Sequence, residues 1–410
     1  MIQLSRSQIL PIGLDLGLDA VKMLQLEVVG NALSVRGAAR QAMPSETRDQ
    51  AELRLPVAMD IVRKMLRSGQ FAGRRVITSL PREIVQAKNL RLPVMPPSDL
   101  ESAVNFEAKN IFPSDAEVVV RHLSTGEVRQ GSDTKLEVIA VAVQRHHIDG
   151  LLEQLHRAGC EVDSLDFEPC ALYRSIERFI RRREDEMDVH VLVDIGLRQT
   201  QVLIGKGREI SFYKTIDVGS MRLQQDVARK LGITEEEARG LRRRQIETAP
   251  GGNDPATATD SVRQAVCDAT RSTIEELARE ISLCLRYYSV TFRGQRPGKV
   301  RLVGGESADP QLISILAAAL PIPVEAGRPL LSVDTHTMKH SDCRGTMGEW
   351  AVALGLSLKG TTTYFGARDG RRREAAGAAG EVDPIDFGQV GEIATAGLTT
   401  RSNPQEAANA

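Results

Sequence analysis

Hydrophobic and polar positions form two similar blocks, one in each half of the chain. Apolar runs separated by turn residues predict three strands between residues 9 and 41 and three more between residues 190 and 219. The pair Gly30-Asn31 is typical of a two-residue hairpin turn in the first block. Residues 51–69 follow with apolar positions at helical spacing, which predicts an amphipathic helix. Two blocks with the same opening predict two α/β lobes.

A different pattern interrupts the first block after residue 81. It predicts strands over residues 84–93 and 135–144, and helices over residues 97–112 and 145–159. Ser98 and Glu101 have the spacing of a capping box at the start of the first of these helices. The pattern therefore predicts an α+β subdomain inserted in the first lobe.

The predicted organisation has two lobes and a tail. The first lobe covers residues 1–189, with the inserted subdomain at about 82–150. The second lobe covers residues 190–360, with a helical subdomain at about 219–298. Residues 361–410 are rich in Ala, Gly, Glu and Thr, which predicts a disordered tail.

Composition and charge restrict the class of protein. The 410 residues are 41% hydrophobic and 26% charged, which is enough for more than one buried core. Because 53 Lys and Arg nearly balance 54 Asp and Glu, we expect no general nucleic-acid binding. We find no signal-peptide pattern, no apolar stretch long enough to span a membrane, and no C-x-x-C pair among the five cysteines. These features predict a cytoplasmic protein that does not insert into a membrane.

The strongest signal in the sequence is a repeated acidic turn. Residues 15–24, DLGLDAVKML, and residues 194–203, DIGLRQTQVL, share Asp, Gly and Leu at the same positions. Alone, either Asp-x-Gly is a common end to a strand, in which the carboxylate caps nearby backbone. Two copies in register instead predict two similar turns that face one another. We therefore expect Asp15 and Asp194 to converge on one pocket.

Binding of a nucleotide phosphate explains such a pair of turns. Gly17 and Gly196 let backbone N–H groups approach phosphate oxygens. The carboxylates of Asp15 and Asp194 can hold Mg²⁺ through its water ligands or orient an attacking water. A third turn at Gly304-Gly305 offers a flat surface for adenine and ribose, and it also fits a strand-to-helix turn without a ligand.

At these turns the chain resembles the actin-like ATPase superfamily and, within it, the PilM family of type IV pilus assembly proteins, which are relatives of FtsA. The resemblance covers about residues 9–360. It extends to LRLPVMPPSDLESAVNFEAKNIFP in the inserted subdomain, GSMRLQQDVARKLGITEEEARGLRR in the second lobe and VRLVGGESADPQLISILAAALPIPVE at the third turn.

The resemblance implies a two-lobed actin-like α/β fold, with the α+β subdomain inserted in the first lobe and ATP with magnesium between the lobes. The site residues that it implies are Asp15, Gly17, Lys22, Asp194, Gly196, Thr200, Gly219, Gly304 and Gly305. It also implies a groove beside the inserted subdomain, around residues 92–111 and the nearby strands, that binds the cytoplasmic N-terminal tail of a PilN-like inner-membrane protein. Such a partner would hold the chain at the inner face of the inner membrane, and self-association stays open.

The chain departs from the family pattern around the nucleotide. Asp19 lies in a stretch that is Ser-rich in relatives, and Arg239 stands where relatives carry a Glu that reaches the ribose. Glu306 replaces a small residue after the third turn. From these departures we expect weak or absent hydrolysis, and the leading interpretation is a cytoplasmic scaffold.

Two other functions stay open on the same fold. A small-molecule kinase would need a third carboxylate as a base in the cleft, and the sequence identifies none. A filament-forming, membrane-tethered protein would need an amphipathic terminal helix, whereas residues 399–410 are polar.

Overall fold

The computed structural model describes residues 7–30, 32–48, 50–130, 132–247, 260–292, 296–359 and 361. Asn31 of the predicted hairpin turn and the predicted tail beyond residue 361 lie outside the described residues. Within these ranges, no helix is long and apolar enough to cross a bilayer.

The described chain contains runs of strands and runs of helices. In the first half, the elements are β1 (Ser7–Leu16), β2 (Ala20–Val29), β3 (Ala32–Ala42), α1 (Ala51–Arg67), β4 (Arg75–Ser79), β5 (Gln86–Pro93), α2 (Pro97–Ile111), β6 (Val118–Gln130), β7 (Asp133–Gln144), α3 (Arg145–Ala158), β8 (Glu161–Asp166) and α4 (Glu168–Glu177). In the second half, they are β9 (Val189–Ile195), β10 (Thr200–Lys206), β11 (Glu209–Ile216), α5 (Ser220–Leu231), α6 (Glu235–Glu247), α7 (Asp260–Thr291), β12 (Lys299–Gly304), α8 (Pro310–Ala319), β13 (Val324–Ala326), β14 (Val333–Asp334) and α9 (Ala351–Ser357).

The first lobe is built on a six-stranded sheet with the order β14-β3-β2-β1-β4-β8. Strands β1, β2 and β3 form the predicted antiparallel meander. Strands β4 and β8 extend the sheet in parallel to β1. Because parallel strands present their carboxyl ends at one edge of a sheet, the residues that follow β1, β4 and β8 lie near one another.

The second lobe is built on a five-stranded sheet with the order β11-β10-β9-β12-β13. Strands β9, β10 and β11 confirm the three strands predicted for residues 190–219. Strand β12 runs parallel to β9, so that Gly304 pairs with Ile195 at the carboxyl ends of the two strands. Leu223 of α5, Ile281 of α7 and Leu312 of α8 bury their side chains against this sheet.

The C-terminal elements complete the first lobe, although their residues belong to the second lobe in the predicted organisation. Strand β14 pairs with β3 in the first-lobe sheet. Helix α9 packs against β1 so closely that a Cβ atom at Gly13 would lie 2.0 Å from the carbonyl oxygen of Ala353. A Cβ atom at Gly355 would lie 1.7 Å from the carbonyl oxygen of Ala171 in α4. Glycine at both positions therefore permits the contact of α9 with the first lobe.

The inserted subdomain is an antiparallel sheet with the order β5-β7-β6 and one covering helix. Leu100 and Val104 of α2 pack on one face of this sheet, and Val141 on the opposite face joins the first-lobe core. The sequence analysis missed β6. The predicted capping box is wrong, because α2 begins directly after Pro96 and no side chain caps its first turn.

The inserted subdomain also contacts the second lobe. Val128 of β6 packs in the second-lobe core beside Val189 and Phe212. Tyr287 of α7 accepts a hydrogen bond from Arg91 of β5 at 3.2 Å. The inserted subdomain thus contacts both lobes.

Candidate functional site

A cavity of about 620 Å³ lies between the two lobes. Its lining contains seven of the nine predicted site residues, namely Asp15, Gly17, Lys22, Asp194, Gly196, Gly304 and Gly305. The turns after β1, β9 and β12 bring these residues together, because the carboxyl ends of their strands face the space between the sheets. The repeated acidic turns therefore share one pocket.

Thr200 and Gly219 have structural contacts instead. The hydroxyl of Thr200 is fully buried and donates a hydrogen bond to the carbonyl oxygen of Val218 at 2.6 Å. A Cβ atom at Gly219 would lie 2.4 Å from the carbonyl oxygen of Leu197, which makes Gly219 a close packing point before α5. Neither residue is among those that line the cavity.

Asp15 is neutralised by a lysine on the neighbouring strand. The register of β1 and β2 pairs Asp15 with Lys22, and the Lys22 Nζ atom lies 2.5 Å from Asp15 Oδ2. Burial raises the pKa of Asp15, and the attraction of Lys22 offsets only part of this effect. Burial alone would lower the pKa of Lys22, but Asp15 and Glu349 outweigh it and raise that pKa. Lys22 is therefore a fixed positive charge on the cavity wall.

Asp194 shares an arginine with a third carboxylate. Arg82 follows β4, and its Nη2 atom contacts Asp194 Oδ2 and lies 2.5 Å from Glu168 Oε1. The Arg82 Nε atom lies 3.0 Å from both oxygens of Glu168, and Gln201 donates to Glu168 at 3.0 Å. Burial raises the pKa of Asp194, and Arg82 opposes that rise. Three carboxylates and two cations thus lie at the base of the cavity.

Glu168 and Arg82 are site residues that the sequence analysis did not identify. Glu168 opens α4 directly after β8, so its carboxylate reaches the edge where β1 and β4 also end. The available signal was the acidic residue in the first turn of a helix that follows a buried strand. Glu168 is the third carboxylate that a kinase would need, but it is ion-paired with Arg82.

All three residues that the sequence analysis names as departures from the family pattern form ion pairs. Asp19 accepts a hydrogen bond from Arg239 of α6 at 2.6 Å, across the mouth of the cavity. Glu306 pairs with the buried Arg242 at 2.7 Å, and Arg242 also lies 3.0 Å from Asp309. The charges that oppose a bound phosphate or ribose are therefore matched within the chain.

The cavity fits a nucleotide. Its volume lies within the range of about 300–1,000 Å³ that is typical of small-molecule pockets. Gly304 has a φ of +91°, and a Cβ atom there would lie 2.8 Å from Asp194 Oδ1. A Cβ atom at Gly196 would lie 2.9 Å from the Nη1 atom of Arg82. Glycine at these two turns therefore lets Asp194 and Arg82 lie directly against the backbone.

The same residues do not fit the predicted magnesium ion. Both carboxylates that were expected to hold the ion through its water ligands, Asp15 and Asp194, are already paired with the cations Lys22 and Arg82. In the part of the chain that the structure describes, no group of three or more His, Cys, Asp or Glu side chains is arranged to hold a metal. We therefore assign no step to a divalent ion.

A second cavity of about 390 Å³ lies beside the first. Its lining includes Ala87 and Asn89 of the inserted subdomain, Phe167 of the first lobe and Tyr213 of the second. Arg82 and Glu168, with a few neighbours, line both cavities. The ion pair of these two residues is therefore part of a shared wall.

Comparisons with known proteins agree with this architecture. A family described as "Type IV pilus assembly protein PilM" matches residues 13–361. The solved structure of a PilM-PilN type IV pilus biogenesis complex is similar, with a TM-score of 0.68, 23% identity, and coverage of 85% of this chain and 97% of that chain. The cell division protein FtsA of Streptococcus pneumoniae serotype 2 (strain D39 / NCTC 7466) is 20% identical over 337 residues, which cover 74% of this chain and 72% of FtsA.

The structural match confirms the predicted actin-like α/β fold. The family match extends from within β1 to residue 361, beyond the end of α9, and therefore includes both lobes and the inserted subdomain. The chain belongs to the PilM family of type IV pilus assembly proteins.

Proposed function

We propose that this chain is a cytoplasmic scaffold of a type IV pilus assembly platform, at the inner face of the inner membrane. In this role it binds the cytoplasmic N-terminal tail of a PilN-like membrane protein and holds ATP in the cleft between the lobes without rapid turnover. Membership of the PilM family supports the pilus role, and the similarity to a PilM-PilN complex supports the choice of partner.

The observation that carries this proposal is the second cavity beside the inserted subdomain. The sequence analysis expects the groove around residues 92–111 and the nearby strands. Leu92 is buried against Leu100 and Val104, so the face of the sheet under α2 is filled. The second cavity instead lies on the side of the inserted sheet that faces the two lobes, and Ala87 and Ile139 contribute to its lining. We therefore move the proposed groove to this side of the sheet.

The strands around the second cavity suit an extended peptide. Strand β5 is an edge strand that pairs only with β7 among the described strands, and β11 is at the edge of the second-lobe sheet. Ala87 lies on β5, and Tyr213 lies on β11. An edge strand can add a peptide strand through backbone hydrogen bonds, while apolar side chains enter the adjoining cavity.

Slow turnover of ATP follows from the pairing of the carboxylates. A general base must be within reach of the attacking water and able to accept its proton. Glu168 instead accepts hydrogen bonds from Arg82 and Gln201. The arrangement is suited to binding a nucleotide and biasing the closure of the lobes rather than to rapid hydrolysis.

The test measures the binding of a labelled N-terminal peptide of the PilN-like partner by fluorescence anisotropy. Ala87→Glu places a charge in the groove and should weaken binding about tenfold or more. The matched control is Ala318→Glu on α8, where the alanine is exposed and outside the groove. Equal peptide affinity in the two variants would contradict the proposed groove, and no binding by the wild-type chain would contradict the partner.

A second measurement addresses ATP. Phosphate release from ATP by the wild-type chain should stay near background, while peptide affinity should differ between samples with and without ATP. Rapid release of phosphate would contradict the scaffold role and support an enzyme.

A further inference from the structure

We propose that Arg82 occupies the place of a divalent cation in the cleft, so that a nucleotide binds to this chain without magnesium. This inference deepens the nucleotide-binding part of the proposed function. Binding of a divalent metal to the chain can be measured without nucleotide or partner, so this inference can fail separately from the proposed function.

The contacts of Arg82 are those that a metal would make. Its Nη2 atom touches one oxygen of Asp194 and one oxygen of Glu168, the latter at 2.5 Å. Two carboxylate oxygens that contact the same atom lie within two hydrogen-bond lengths of each other. Divalent ions in phosphate-binding sites commonly hold one or two carboxylates in this way. The guanidinium therefore stands between the two oxygens that a bridging ion would join.

The guanidinium is held in place on more than one side. Its Nε atom lies 3.0 Å from both Glu168 oxygens, and its Nη1 atom lies 3.5 Å from the carbonyl oxygen of Gln199. Gly196 leaves room for it, because a Cβ atom there would lie 2.9 Å from Nη1. A planar guanidinium with five donors fits such a set of acceptors, whereas an ammonium group does not.

Charge and burial oppose the entry of a metal. The two carboxylates of Glu168 and Asp194 raise the pKa of Arg82 further, against the effect of burial, so that this side chain stays charged. A divalent ion could reach Glu168 and Asp194 only by displacing a charged group that has no other carboxylate within ion-pair distance among the described residues. Lys22 pairs with Asp15 in the same cavity.

A manganese titration tests the metal claim directly. Mn²⁺ is added to the full chain without nucleotide, and the loss of the electron paramagnetic resonance signal of the free ion reports binding. We expect the wild-type chain to show no saturable Mn²⁺ binding. Arg82→Gln should gain a site that binds Mn²⁺ at least about tenfold more tightly than the wild-type chain does. Arg222→Gln, which removes an exposed arginine paired with Glu276, is the matched control and should gain nothing.

Two outcomes of the titration would overturn the proposal. One is saturable Mn²⁺ binding by the wild-type chain that Asp194→Asn abolishes. The other is an Arg82→Gln variant that is folded by circular dichroism and still gains no site. If Arg82→Gln does not fold, Arg82→Lys replaces it, and its smaller donor set should give a weaker but measurable gain in Mn²⁺ affinity.

A nucleotide titration tests the consequence. The affinity of a fluorescent ATP analogue for the wild-type chain should agree within about twofold in excess Mg²⁺ and in EDTA. A loss of about tenfold or more in EDTA would overturn the proposal. If the analogue binds in neither buffer, the nucleotide part of the proposed function fails, while the manganese titration still decides the role of Arg82.

Discussion

Arg239 of α6 and Asp19 in the turn after β1 join the two lobes across the mouth of the cleft, with 2.6 Å between Arg239 Nη2 and Asp19 Oδ1. Arg40 and Arg48 approach the same carboxylate from the first lobe at 3.5 and 4.0 Å. Arg48 also lies 3.6 Å from Glu236 of α6. Opening of the cleft must therefore separate several charged groups that belong to the chain itself.

We expect Arg239→Glu to favour the open cleft, because two carboxylates would then face each other. A partly exposed ion pair contributes up to about 1 kcal/mol, which corresponds to about fivefold in an equilibrium. Hydrogen–deuterium exchange of residues 16–20 should become faster by about this factor.

In an Asp19→Asn background, Arg239→Glu should change the exchange rate less than in the wild type, because the facing carboxylate is then absent. Arg229→Glu, which affects an exposed pair with Asp226 in α5, is the control and should leave residues 16–20 unchanged. Wild-type exchange in Arg239→Glu would show that this contact does not close the cleft.

We expect Gly355→Ala to destabilise the fold, because the added Cβ atom would lie 1.7 Å from the carbonyl oxygen of Ala171. The free energy of unfolding should fall by about 1–3 kcal/mol or more, as for other overpacked cores. Gly150→Ala in α3 is the matched control, since nothing lies within 4 Å of its added Cβ atom. The free energy of unfolding of this control should rise by about 0.5–1 kcal/mol, because alanine has a higher helix propensity than glycine. Urea denaturation measures the free energy of unfolding of each variant. Equal changes in Gly355→Ala and Gly150→Ala would contradict the close packing of α9.

Asp166 predicts a specific dependence of stability on pH. Its carboxylate is buried and lies 2.9 Å from Arg174 and 3.4 Å from Lys359 beyond α9. Burial acts to raise its pKa, but these two cations and the backbone N–H of Phe167 together lower it. The ion pairs therefore stabilise the fold above the ordinary pKa of 3.8, and this contribution is lost as pH falls below that value through the folded-state pKa.

We expect Asp166→Asn to lower the free energy of unfolding by about 3 kcal/mol at pH 7, because Arg174 loses its buried counter-charge. The difference from the wild type should stay constant down to about pH 5 and shrink below 3.8. Asp60→Asn, in an exposed pair with Arg63, is the control and should change stability by less than about 0.5 kcal/mol. A difference that grows as the pH falls would contradict the lowered pKa.

Two cysteines should resist alkylation in the folded chain. Burial raises the pKa of Cys160 to about 12 and that of Cys284 to about 11, so that little thiolate forms near pH 8. Mass spectrometry after treatment with iodoacetamide should find both unmodified in the native protein and modified in urea. Modification of either at equal rates in the two conditions would contradict its burial.

The sequence predicted the parts of the site that repeat. Asp15 and Asp194 stand at equivalent positions of two similar strand pairs, and duplicated strands give duplicated turns. Lys22 was implied by the family resemblance alone, and the register of β1 and β2 places it opposite Asp15.

The partners that come from distant elements could not be predicted in this way. Asp19 and Arg239 are 220 positions apart, and their contact depends on how the lobes pack. Arg82 and Glu168 meet only because the parallel strands β4 and β8 are neighbours in the sheet, although the whole inserted subdomain separates them in sequence. From the sequence alone, Asp19 and Glu306 are unfavourable for a bound nucleotide, because the arginines that pair with them cannot be identified.

The ion pair of Arg82 and Glu168, which lines both cavities, couples the charge in one cavity to the charge in the other. The guanidinium of Arg82 has a limited number of N–H donors. An acidic group that binds in the second cavity would therefore compete with Asp194 for them. Any weakening of the contact of Arg82 with Asp194 would remove a positive charge from the cleft side of the wall and make the cleft less favourable to a phosphate. The occupants of the two compartments would therefore influence each other through the charge of one shared side chain.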